Sequence, residues 1–105
     1  MARFDVYRNI GGHQERVPFL LDVQSELLDR LDTRIVVPLR KRSADGDGAM
    51  IVGLTPELEL DGEIYVMETS KLGAVPVRAL RSKVASLNDQ HDRIVAALDF
   101  LFQGF

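Results

Sequence analysis

A chain of 105 residues, 46% of them hydrophobic, is long enough for one modest core and too short for two, so residues 1–105 read as a single domain. Thirteen basic against sixteen acidic side chains leave a formal charge of −3, which excludes the basic footprint of a general nucleic-acid binder; no direct nucleic-acid contact is expected of the chain alone. The absence of cysteine excludes disulfides, thiol nucleophiles and thiolate metal sites, and two histidines leave little for any other metal.

In chain order, residues 3–8 (RFDVYR) alternate, with Phe4, Val6 and Arg8 on one face, and predict a half-buried strand. Gly11-Gly12, flanked by polar residues, predict the turn of a hairpin. Residues 17–23 (VPFLLDV) predict a second strand, with Pro18 near its start or at an edge and Asp22 interrupting its apolar run. Residues 24–33 have helical spacing at Leu27, Leu28 and Leu31 but are short and weakly capped, so they are expected to form a loop with one turn. Residues 34–39 predict a buried strand containing Pro38, followed by the basic cluster Arg40-Lys41-Arg42 as a solvated loop entrance and a loop over 43–49.

Residues 50–54 predict a further short strand, and 57–60 another, interrupted by Pro56. Asp61-Gly62 is the strongest hairpin signal, because both positions tolerate positive φ. Its register stays open: a two-residue loop places Leu58 and Leu60 with Glu63 and Tyr65, whereas a bulged three-residue loop pairs Leu58 with Ile64. A strand over 64–69 follows, Gly73 turns the chain, and 74–77 lead into a C-terminal helical segment over about 82–105. There Leu87, His91, Ile94, Leu98 and Leu101 recur on one helix face, Asn88-Asp89 supplies a start signal and Gly104 a stop. Phe100, Phe102 and Phe105 exceed what a single buried stripe needs, so the helix end is either packed on two sides or offered to a partner.

The candidate constellations favour no enzyme. Asp45-Gly46-Asp47-Gly48 resembles part of a calcium loop, but the EF-hand pattern requires glutamate at position 54, which is Leu54. Glu57, Glu59, Asp61, Glu63 and Glu68 alternate with apolar residues as a solvated strand face does. His91 reads as a packed or capped helix residue, and His13 has no apparent partner. No serine elbow or phosphate loop is present, so no catalytic residue, metal ligand or cofactor is assigned. No apolar run reaches the ~20 residues of a membrane helix, and MARFD lacks a signal peptide's apolar stretch, giving the expectation of a soluble cytoplasmic protein.

Taken together, FDVYRN (4–9), LLDVQSELLD (20–29), RIVVPL (34–39), VPV (75–77) and the helix ending LFQGF (101–105) resemble the CcdB family of toxin-antitoxin toxins. The likeness covers nearly the whole length, while residues 40–50 depart from it. It implies a mainly β fold with a C-terminal helix, a small SH3-like barrel or twisted antiparallel sheet of the CcdB/MazF toxin type, assembled as a homodimer. It further implies a type II toxin that is not an enzyme, binds the DNA gyrase A subunit, traps the cleaved-DNA complex, and is neutralised by a CcdA-like antitoxin with which it joins in DNA-binding repression. Carried over by position, the gyrase-binding residues are Leu27, Leu28, Asp99, Gln103, Gly104 and Phe105. Gln103 stands where the family has tryptophan, exchanging a flat stacking surface for an amide, and Asp99 stands where it has asparagine. The alternatives are a MazF/Kid-type endoribonuclease or a non-poisoning homologue that only binds its antitoxin.

Overall fold

The alternating residues at the start of the chain form strand β1 (Asp5–Arg8), which pairs antiparallel with β2 (Phe19–Asp22). The structure, a computed structural model, describes residues 1–42 and 50–104; the 45–48 stretch and Phe105 lie outside the described residues. Asn9 closes the β1–β2 connection, its side chain accepting from Gly11 N and donating to the Gly12 and Val17 carbonyls. Pro18 sits just before β2, where no ladder donor is asked of it. Both faces of β1 are covered, with Phe4, Asp5, Val6 and Tyr7 all buried, where alternation alone predicts one solvated face. One face meets the main core; the other meets a second cluster of Tyr7, Val36 and Leu80.

The nine-residue strand β3 (Thr33–Lys41) is the spine of the sheet. One edge pairs with β2; the other takes β6 (Gly73–Pro76) along Thr33 to Val36 and β5 (Glu63–Met67) along Leu39 to Lys41. A proline inside so central a strand needs a reason. The Pro38 carbonyl accepts from Glu68 N, and in a strand the N and O of one residue face the same edge, so the missing donor points at the gap where β3 changes partner. With β4 (Glu57–Leu60) beyond β5 and β7 (Lys83–Ser86) beyond β1, the order is β4-β5-β3-β2-β1-β7, with β6 beside β3.

The hairpin at Asp61-Gly62 takes the two-residue loop, with φ of 53° and 80° and Leu60 opposite Glu63. Leu58 and Leu60 are thereby both buried, and Tyr65 packs edge-on to Phe19 at 5.3 Å. Burial of both leucines decides a register that the turn residues leave open.

Several expectations are corrected. Residues 50–54 form a turn rather than a strand: Leu54 and Thr55 N donate to Ile51 O, the Thr55 hydroxyl accepts from Ile51 N, and Gly53 takes φ +87°. A Cβ at Gly53 would lie 3.2 Å from the Phe100 ring, so the glycine permits the turn to lie on the helix end. Gly73 does not turn the chain but opens β6, because Thr33 to Val36 offer it a free edge. Arg40-Lys41-Arg42 is not a loop entrance: β3 runs to Lys41, and Arg40 is buried with its Nε 3.2 Å from Glu68. Glu68 is correspondingly covered rather than solvated, and Lys71 reaches it too.

The C-terminal segment begins as β7, since residues 83–86 add to the free edge of β1. A 3₁₀ turn over Asn88–Gln90 precedes helix α1 (His91–Gln103), and the Asn88 side chain makes no cap. His91 is therefore at the helix start, half exposed, its Nδ1 2.7 Å from Asn88 O and its ring beside Phe4, not on the apolar face. The buried stripe keeps the expected Ile94 and, partly buried, Leu98, and adds Ala97 and Val95, in one cluster with Phe4, Val6, Leu21, Val37, Leu39, Leu58, Met67 and Leu87. Fully burying a side chain such as Ile94 stabilises the docking by about 1.5–3 kcal/mol. Gly104 ends the helix as predicted, at φ +82° with its N–H on Phe100 O.

Candidate functional site

Two exposed features stand out, a turn after β2 and the end of α1. The turn over Glu26–Leu28 is a single 3₁₀ turn with no buried residue, begun by Ser25, whose hydroxyl accepts from Leu27 N. Leu27 is 94% exposed and Leu28 50% exposed. A leucine so open is unusual only because its backbone is so firmly tied. Beneath it lies a buried ion pair: Arg34, with no exposed surface, sets Nε 2.8 Å from Asp22 Oδ2 and Nη2 2.9 Å from Asp22 Oδ1. Its Nη1 reaches Asp29 Oδ1 at 3.1 Å, and Nη2 also donates to the Gln24 carbonyl at 3.2 Å.

Burial works against the Arg34 charge, but the hydrogen bonds and charge of Asp22, then of Asp29, outweigh it and raise its pKa above the ordinary arginine value. Tyr7, on the same face of the sheet, has its hydroxyl pKa raised by burial first and by the charges of Asp5 and Asp22 next, with Arg34 opposing. Among the described residues no buried side-chain polar atom lacks a hydrogen-bond partner, so the network is complete.

At the other feature, Asp99, Phe102, Gln103 and Gly104 are all exposed, Phe102 at 71%, while Phe100 is half-buried against Gly53. The two features are not brought together within the chain. Leu27 lines a shallow recess of about 320 Å³ with Arg3, Phe4, Ser25, Glu26 and Asn88, at the entry to α1. Asp99 and Gln103 lie about 12 and 18 Å along the helix axis from His91 at 1.5 Å per residue. Phe105, the sixth candidate, lies outside the described residues. The sequence did not disclose Gln24 and Arg34 as part of the site. The usable signal was charge in apolar runs, Asp22 in one strand and Arg34 at the head of the next, twelve residues apart.

Among the described residues no group of three or more His, Asp and Glu is placed to hold a metal ion, and no helix is long and apolar enough to cross a membrane. His13 lines a recess with Arg16, Glu68 and Lys71, away from His91 at the helix start.

A curled antiparallel sheet with one C-terminal helix laid on it is consistent with the CcdB fold. A family model described as CcdB protein matches residues 3–104, so the chain belongs to the CcdB family. Membership implies a toxin of a toxin-antitoxin pair, and therefore an antitoxin partner.

Proposed function

We propose that the protein is a non-enzymatic, cytoplasmic toxin that, as a homodimer, binds the DNA gyrase A subunit, holding the enzyme on cleaved DNA. A binder of this kind needs no chemistry of its own: it acts by preferring one state of its target over the other. The observation that carries the proposal is Leu27, 94% exposed on a turn whose Leu28 carbonyl is held from beneath by Gln24. An apolar anchor already held in place loses little entropy on binding. Leu28, Asp99, Gln103, Gly104 and Phe105 complete the contact set, and pairing two protomers supplies the means of joining the turn of one to the helix end of the other. Exposed Phe102 and Val52 add apolar surface that a single small core leaves uncovered.

The partner on the neutralising side is a CcdA-like antitoxin, and the pair acts in repression with DNA contact left to the antitoxin. No observation favours the ribonuclease alternative, since His13 and His91 serve different surfaces. Deleting residues 103–105 tests the site: the truncated protein is expected to keep its folded circular-dichroism spectrum and lose toxicity, and an equally toxic truncation removes the helix end from the contact set.

A further inference from the structure

The turn that presents Leu27 has little apolar packing of its own, because none of Glu26, Leu27 and Leu28 is buried and Leu28 is half exposed. Besides the bonds of the turn itself and the Asp29–Arg34 contact, one carboxamide ties it to the returning strand. Gln24 Nε2 donates to the Leu28 carbonyl at 3.1 Å and to the Thr33 carbonyl at 3.2 Å, while Oε1 accepts from Ile35 N at 3.0 Å. A single side chain thus joins the middle of the 25–32 excursion to its return into β3. Gln24 is itself fixed at both main-chain groups, its N–H on Asp22 Oδ1 at 3.0 Å and its carbonyl under Arg34 Nη2 at 3.2 Å. Only 7% of the residue is exposed, so water has little access to the carboxamide.

We propose that Gln24, seated on the Asp22–Arg34 ion pair, is the positioning residue that fixes the Leu27–Leu28 turn for binding gyrase. This rests on the gyrase reading of that turn. Gln24 touches no partner; it acts by removing the ordering cost that a free eight-residue excursion imposes on each encounter. The amide is required rather than its volume. Gln24→Met keeps the length and forfeits all three bonds, and Gln24→Glu sets a carboxylate oxygen against two carbonyls.

The test is a double-mutant cycle on affinity for the purified gyrase A subunit, using the whole protein. Leu27→Ala is expected to weaken binding about tenfold or more, Gln24→Met to weaken it by a similar factor, and the combination to be no weaker than the worse single variant within about twofold. Amide exchange should quicken at residues 26–29 and stay slow in β1 and β3. Gln24→Met binding like the parent, or losses that multiply, overturns positioning by Gln24. Should Gln24→Met not fold, Gln24→Glu, which keeps the length but sets a carboxylate oxygen against the Leu28 and Thr33 carbonyls, runs the same cycle with the same criteria. Leu27→Ala binding like the parent would instead fell the gyrase reading of the turn, and the proposal with it.

Discussion

Asp22 and Arg34 are the residues on which the fold and the site both depend. With no exposed surface on either side chain, removing one partner strands a buried charge, so Arg34→Met or Asp22→Leu is expected to cost about 3–5 kcal/mol in urea unfolding. The combined Asp22→Leu, Arg34→Met variant should recover most of that stability, since an apolar pair of similar volume replaces the ion pair, while still disordering the Leu27 turn. Persistent loss in the double variant would show that something other than the unpaired charge was responsible. Tyr7 sets a limit at the alkaline side. Its raised folded-state pKa means that the neutral form is favoured in the native protein; that contribution is whole below the unperturbed value of about 10 and is lost as pH rises through the folded value. Tyr65, raised by burial and then by Glu63 and Asp61, acts in the same direction. Tyr7→Phe is expected to reduce the fall in stability above pH ~10, measured as melting temperature against pH; an unchanged slope would rule Tyr7 out as a contributor. Asp22 was visible in the sequence as an interruption, but its meaning required the β2–β3 register, which seats Asp22 opposite Val36 and brings Arg34 within reach.

Helix α1 carries the core on a narrow stripe. Ile94→Ala is expected to cost about 2–5 kcal/mol, whereas Phe102→Ala, on an exposed position, should change stability little; denaturant midpoints separate the two. Gly104→Ala strains a left-handed residue whatever the space around it, and fraying of the last turn should follow in amide exchange at residues 101–104. Among the described residues β4, β6 and β7 each pair on one side only, and the edge at β4 is managed by a side chain. Gln90 accepts from Glu59 N at 3.0 Å and donates to Glu59 O at 2.8 Å, standing in for one pair of a missing strand. Gln90→Ala is expected to cost roughly 1 kcal/mol and to speed exchange at Glu59; unchanged exchange there would deny the side chain this role. The sequence made the long strands, the Asp61-Gly62 hairpin and the helix stop legible, because alternation, turn chemistry and the glycine cap are local. It misled at residues 50–54 and 83–86, where the deciding facts are distant: Phe100 receives Gly53, and β1 has an edge to fill.

At the scale of the whole molecule, family membership follows from a match over residues 3–104, and motifs at five places along the chain already resembled that family. The apolar character of Leu27 and Leu28 was legible too; the polar ties beneath their turn were not, since they join residues that sequence distance separates. The remaining exposed apolar surface, Val52 and Phe102 among it, is surface the proposed dimer would cover, and sedimentation at micromolar concentration should give twice the chain mass. The decisive measurement is a DNA-cleavage assay with purified gyrase whose A subunit is either the normal form or a variant resistant to the family. Gyrase poisoning predicts that the protein accumulates cleaved DNA with the normal form and not with the resistant one. No cleavage with either, or equal cleavage with both, would contradict it.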